Sequence, residues 1–254
     1  MTDELQLELK RVVNELRERN PALTRDKAFV MWFVQAFLTD DPSEVDSSVV
    51  GGRNDKNIDG IYIDSVCNTV FVIQGKYRAN EKKRESRPDL VSFAAVAEFF
   101  LGSKAVFNSM ADNADVGMRP LLNKARFSLI NKKYQLALQY VTSGSVSSQY
   151  IEELEAFVGK HDAVTIQVFD HKALRRLMRD YIDGVAPPVP AVKIRIESNE
   201  TFDSYDPLLG VSSWVFTTNG KELAGLFNRW GVRIFARNIR GFMGGATTVN
   251  KGMV

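Results

Sequence analysis

Residues 58–77 read IDGIYIDSVCNTVFVIQGKY, and this stretch decides the fold. Val70, Phe71, Val72 and Ile73 form a continuous apolar run of strand length, the pattern of a central strand covered on both faces. Ile58 to Asp64 reads as the strand before it, and Ser65 to Asn68 as the turn between them. Asp59 falls near the start of the first strand, and Gln74 and Lys76 at the end of the second. A hairpin brings these positions together. Gln74 and Lys76 are two residues apart, so both side chains leave the same face of the sheet.

Outward from this hairpin, helical and extended patterns alternate. On the amino-terminal side, Thr24 is the expected cap of a helix from Arg25 to Leu38, which is apolar nearly all round and must therefore be buried. Leu5, Leu9, Val12, Val13 and Leu16 recur at helical spacing before it, ending at Asn20-Pro21. Asp40, Asp41 and Pro42 break the second helix, and a polar stretch leads to the hairpin. On the carboxyl-terminal side a charged loop precedes a helix from Pro88 to Leu101, with proline in the first turn where its fixed φ fits. A helix from about Met118 to Ile130, a strand from Tyr134 to Val141, a helix from Gln149 to Val158, a strand from Ala163 to Phe169 and a helix from Lys172 to Tyr181 follow. The fold class is α/β with a mixed central sheet.

Ala186-Pro187-Pro188-Val189-Pro190 marks a linker, because prolines stiffen a segment and cannot join a central ladder. Beyond it Lys193 to Glu197 alternates like a strand, Gly220 to Trp230 is helical, and Gly231 to Ala236 is again strand-like. The expected division is an amino-terminal helix over residues 1–24, a domain over 25–185, a linker over 186–190 and a second unit over 191–254.

With 44% apolar and 25% charged residues, the 254-residue chain has an ordinary globular balance, and its net charge of +2 points to no particular partner. Cys67 is the only cysteine, which excludes an intramolecular disulfide and a multi-thiolate zinc site. It lies in a turn without an activating neighbour and reads as inert. His161 and His171 are the only histidines and follow well after the acidic cluster, against a histidine-rich metal site or a Ser-His-Asp triad. The start, Met1-Thr2-Asp3-Glu4, has neither a basic region nor an apolar run of signal-peptide type, and nothing approaches a transmembrane span, so a cytoplasmic location and no membrane partner are expected.

The chemistry concentrates in Gly51-Gly52-Arg53-Asn54-Asp55-Lys56-Asn57-Ile58-Asp59-Gly60 and in Gln74-Gly75-Lys76. Asp59 offers a hard anionic oxygen, Gln74 a neutral one and the Gly75 carbonyl a third, the donor type Mg²⁺ prefers. Lys76 is placed to orient a metal-bound water or to neutralise charge developing on a phosphate. Asp55 is a further candidate ligand from the loop. Taken singly, Asp59 reads as a turn residue, Gln74 as a strand end and Lys76 as a solvated cation; it is the set that points to a metal centre.

This segment resembles the restriction-endonuclease-like superfamily, in which a strand aspartate is followed one strand later by Glu/Gln-x-Lys; the Gln form with Asp55 to Gly60 ahead of it is similar to the Mrr-like branch of PD-(D/E)XK nucleases. The resemblance spans about residues 25–185, with its specific part in 51–77. It implies an αβββαβ core, catalytic Asp59, Gln74 and Lys76, Mg²⁺ or Mn²⁺ as cofactor, and hydrolysis of phosphodiester bonds, with DNA favoured over RNA. One departure stands out: such enzymes often carry a glutamate just after a phenylalanine in the preceding helix, whereas Val30 follows Phe29 here. Asp26 and Gln35 are the nearest polar residues on that helix. A second resemblance lies in Leu226-Phe227-Asn228-Arg229-Trp230-Gly231, Ile234-Phe235-Ala236-Arg237-Asn238-Ile239-Arg240-Gly241-Phe242 and Val249-Asn250-Lys251-Gly252, similar to the start of the AIPR domain of abortive-infection, phage-resistance proteins. It implies an α+β second domain that continues past residue 254, a role in anti-phage defence and a chain that is a fragment of the family pattern.

Cations cluster after the motif. Arg78, Lys82, Lys83, Arg84 and Arg87, with Arg53 ahead of it, are candidates for gripping phosphates; a solvated loop with internal ion pairs is the plain alternative. A second cluster runs from Lys221 to Lys251, where Arg233, Arg237 and Arg240 suit either phosphate or the remainder of the second domain. Trp32, Phe99, Phe100, Trp214 and Trp230 read as core rather than as base-stacking platforms. Two other function classes stay open: a catalytically decayed nuclease fold that binds or senses nucleic acid, and an interaction module assembling as a homo-oligomer.

Overall fold

Helix α1 (Thr2–Arg19) and helix α2 (Arg25–Phe33) pack together ahead of the sheet. Thr24 caps α2, its hydroxyl accepting the Lys27 N–H at 3.3 Å. All of Ala28 to Phe33 is buried, as an all-round apolar helix requires. The helical path continues to Leu38 as a π turn, Val34–Leu38, rather than as regular α-helix. Helix α3 (Pro42–Ser48) lies in the stretch expected to be only polar connection. Asp41 caps it, accepting N–H bonds from Ser43 and Glu44, and Pro42 occupies its first position: the residues that end one helix begin the next.

The computed structural model describes residues 2–49, 57–184, 186–187, 195–196, 202–206, 211–215, 217–230 and 234. The chain divides into two units, Met1–Pro187 and Pro188–Val254. In the first, β1 (Gly60–Asp64) and β2 (Thr69–Lys76) form an antiparallel hairpin. Asp64 Oδ1 holds its turn by accepting N–H bonds from Val66 and Cys67 at 2.7 and 2.9 Å, and Asn68 takes the left-handed conformation (φ 53°) that a tight turn needs.

Parallel strands require crossovers, and helices supply them here. From β2 the chain passes through α4 (Arg87–Ala94), α5 (Val96–Leu101), α6 (Lys104–Asp112) and α7 (Arg119–Asn131) to β3 (Gln135–Thr142). The helix expected over Pro88–Leu101 is broken at Ala95, and α6 is an element the periodicity did not reveal. From β3, α8 (Ser148–Val158) leads to β4 (Val164–Phe169), and α9 (His171–Ile182) closes the unit. Strand order is β1-β2-β3-β4, with β2, β3 and β4 parallel. This is an α/β fold with an open mixed sheet.

Each face of the sheet has its own core. Val70, Val72, Leu138 and Ile166 meet Phe93, Phe100 and Leu122 from the crossover helices and Leu154 from α8. On the other face Ile73 and Val141 meet Val13 of α1, Phe29 and Phe33 of α2, and Leu177 of α9. Helix α1, assigned by sequence to a separate segment, belongs to the same compact unit. Because β1 runs antiparallel to the other three strands, its start and the ends of β2, β3 and β4 share one edge. Asp59, Gln74 and Lys76 therefore come to the carboxyl edge of the parallel strands, where open α/β sheets present their ligand sites.

In the second unit, β5 (Phe202–Asp206) pairs antiparallel with β6 (Val211–Val215), a hairpin the sequence pattern did not reveal. Helix α10 (Gly220–Trp230) has the expected bounds. The expected strand at Gly231–Ala236 lies, apart from Ile234, outside the described residues, as does most of that at Lys193–Glu197; Ile196 makes a bridge to Thr218. Arg233, Arg237 and Arg240 also lie outside them.

Candidate metal centre

The register opposes Gly60 to Ile73, so Asp59 stands one step before the paired strand, beside the Ile73–Gly75 stretch of β2. Its backbone N–H donates to the Ile73 carbonyl at 2.8 Å, and its Oδ2 accepts the Gly75 N–H at 2.9 Å. The carboxylate is thus fixed against the Gln74–Gly75 peptide. In a strand the N–H and C=O of one residue point to the same side, so the Gly75 carbonyl also faces β1, beyond the last rung of that ladder. Asp59 is 8% exposed and Gln74 2%.

Gln74 shares the face of Val70 and Val72, and its buried Oε1 has no hydrogen-bond partner among the described residues. An unpaired buried acceptor costs roughly 1–3 kcal/mol. A hard cation is one partner that removes this cost, and the oxygens of Asp59, Gln74 and Gly75 are the donor set Mg²⁺ accepts with water completing its shell. Among the described residues no three His, Cys, Asp or Glu side chains converge, so the set rests on one carboxylate. Lys76 follows on the same face and is half-buried. Asp55 and Arg53 lie outside the described residues.

Val30, the residue after Phe29 on α2, packs against the sheet. Val30 is fully buried against two glycines: a Cβ on Gly60 would lie 2.9 Å from Val30 Cγ1, and one on Gly75 2.3 Å from Val30 Cγ2. The place is filled by methyl groups, on the face opposite Gln74. Asp26 accepts the Tyr77 N–H at 2.7 Å and so anchors the chain just after Lys76. Gln35 lines a different cleft, with Leu16, Arg19 and Asp46.

Glu85 is the residue that sequence reading missed. Within a loop rich in cations, its side chain is fully buried against β3. Arg78 donates to it from Nε at 2.8 Å and Nη2 at 2.5 Å, Thr142 from Oγ1 at 2.6 Å and Tyr140 from its hydroxyl at 3.3 Å. Burial pushes the Glu85 carboxyl up, but the bonds from Arg78 and Thr142 outweigh it and leave the group below its ordinary value. Burial likewise raises the Tyr140 hydroxyl. Thr142 Oγ1 also lies 3.2 Å from the Lys76 carbonyl oxygen, so the network ties the loop to the end of β2. Both Glu85 oxygens are engaged, which makes it a positioning group. No local pattern announces a partner 57 residues away.

The cationic loop divides into spoken-for and unpaired groups. Arg78 is committed to Glu85, and Arg87 to Glu153 on α8. Lys82, Lys83 and Arg84 are exposed and form no ion pair among the described residues. Their backbone is not loose: Glu85 N–H donates to Ser145 at 3.0 Å and Ser145 N–H to Lys83 at 2.9 Å, strand-like pairing that holds the loop beside the end of β3.

No family model matches the sequence, and neither a curated protein nor a solved structure matches it. No helix among the described residues is long and apolar enough to cross a membrane.

Proposed function

We propose that the unit Met1–Pro187 is a Mg²⁺-dependent nuclease of the PD-(D/E)XK type, with DNA as the favoured substrate and RNA as the alternative. The observation that carries it is the buried, unpartnered Gln74 Oε1 next to a peptide whose N–H is held by Asp59. The element order supports a restriction-endonuclease-like core: helix α2, a single antiparallel bridge between Val49 and Gly60 in place of a first strand, β1, β2, a helical crossover and β3. In this scheme Asp59, Gln74 and the Gly75 carbonyl hold the cation. The bound ion supplies Lewis acidity toward the phosphate and a water of lowered pKa. Lys76 orients the attacking water and offsets charge on the phosphate, while Lys82, Lys83 and Arg84 hold flanking phosphates. The resemblance of residues 226–252 to the AIPR domain supplies the setting, defence against phage by abortive infection.

The test is cleavage of plasmid DNA and of RNA with Mg²⁺, Mn²⁺ or EDTA by wild type, Asp59→Ala and Lys76→Ala. Metal-dependent cutting by the wild type alone is expected. Equal cutting by all three proteins removes Asp59 and Lys76 from the chemistry. The alternative, a decayed nuclease fold that binds nucleic acid without cutting it, is favoured by Val30 standing where a second carboxylate is common in such enzymes. It predicts salt-sensitive binding that Asp59→Ala leaves unchanged.

A further inference from the structure

On the side of the sheet edge away from Gln74, α1 and the first residue of α2 enclose a cleft of about 430 Å³ against the chain leaving β2. Gln6, Lys10 and Asn14 line it from α1, Arg25 from α2, and Tyr77 and Ala79 from the segment after Lys76. Lys10 and Arg25 are exposed, and neither makes an ion pair among the described residues. Two other clefts of this unit contain carboxylates, Glu81 in one and Asp40 with Asp46 in another, whereas this one has none in its lining. Two cations facing one space repel each other until an anion enters. The first turn of α2 also carries Asp26, whose carboxylate is taken up by the Tyr77 N–H at 2.7 Å, and Gln6, Asn14 and Tyr77 add neutral hydrogen-bonding groups.

We propose that this cleft binds a phosphate of the nucleic-acid backbone, close to the bond that is cut. Lys76 and Ala79 are three residues apart, a span of at most about 10 Å. This sets the cleft beside the end of β2 that carries Lys76, on the other side of the sheet from Gln74. The cleft thereby fixes the strand's position, and α1 becomes part of the substrate-binding surface. The identity of the anion as nucleic acid rests on the nuclease reading; the anion-binding chemistry of the cleft does not.

The test measures binding of a fluorescent oligonucleotide by the full chain in EDTA, over a range of salt concentrations, where cleavage plays no part. Lys10→Ala with Arg25→Ala is compared with Lys104→Ala with Lys124→Ala, an equal charge change at exposed positions on α6 and α7. The first pair is expected to weaken binding roughly tenfold and to flatten the logarithmic salt slope by about one, the signature of one phosphate left without its cation, and the second pair to do neither. Equal effects from both pairs, no effect from the first, or no binding by the wild type overturns the proposal. Melting curves check folding, and Lys10→Gln with Arg25→Gln replaces the alanine pair if that protein is unstable. Competition with inorganic phosphate and with a mononucleotide separates the sources of the anion. Displacement of the oligonucleotide from wild type but not from the cleft variant would assign the cleft to a free phosphate and overturn the backbone assignment. A wild type that binds through the cleft yet never cuts with Mg²⁺ removes the nuclease reading alone; one that cuts normally while both variant pairs bind alike removes the cleft alone.

Discussion

Val30 occupies the space that any side chain on Gly75 would need: a Cβ there would stand 2.3 Å from Val30 Cγ2 and 3.3 Å from the Asp26 carbonyl oxygen. The glycine between Gln74 and Lys76 thus lets α2 lie close on β2 while the residues on either side face the opposite layer. Gly75→Ala is expected to cost about 1–3 kcal/mol, as overpacked cores do. Val30→Ala in the same chain should return part of that loss, a non-additivity read from urea midpoints of the two single variants and the double. Strictly additive effects would show that the helix does not press on this glycine.

The unpartnered Gln74 Oε1 makes a separate claim about metal. Gln74→Glu places a second carboxylate in a buried position near Asp59, so without metal the variant should melt below the wild type, by about 2 kcal/mol or more. Mg²⁺ binds the native state and should raise the variant's melting temperature more than the wild type's. Indifference of both proteins to Mg²⁺ would remove the cation from this place.

Glu85 carries the pH dependence. Its carboxyl lies below the ordinary value of 4.5 in the folded chain, so its contribution is complete above that value and is lost as the pH falls through the folded one. Glu85→Gln, which keeps the shape but not the charge, should cost about 1–3 kcal/mol at neutral pH. The gap from the wild type should narrow as the pH falls below about 4.5. Denaturation curves at neutral and acid pH measure it, and a constant gap would mean that the Arg78 pair contributes nothing through its charge.

The cations of the loop are not equivalent. Alanine at Lys82, Lys83 and Arg84 should weaken nucleic-acid binding and flatten its salt slope by about one for each phosphate no longer neutralised. Arg87→Ala should change the slope little, because Glu153 already holds that guanidinium. An equal slope change from Arg87→Ala would show that this exposed pair opens in the complex.

Much of this protein was legible in the order of its residues, because local rules govern the features concerned. The apolar run Val70–Ile73 announces a strand covered on both faces, the Ser65–Asn68 stretch a turn, Thr24 a helix cap, and the alternation of types an α/β sheet; each depends on neighbours a few positions away. The period of two along a strand likewise puts Gln74 and Lys76 on one face. Short helices hid where periodicity is too brief to register: α3 begins on the very residues that end the preceding helix, and α6 spans only Lys104–Asp112. Tertiary structure alone decided what packing across the fold decides. It buried Glu85 against Thr142 and Tyr140, paired Arg87 with Glu153, set Val30 over Gly60 and Gly75, and joined Lys10 and Arg25 from separate helices in one cleft. Burial and pairing are properties of surroundings supplied by distant segments, and a charge looks the same in the sequence whether water or another side chain will face it.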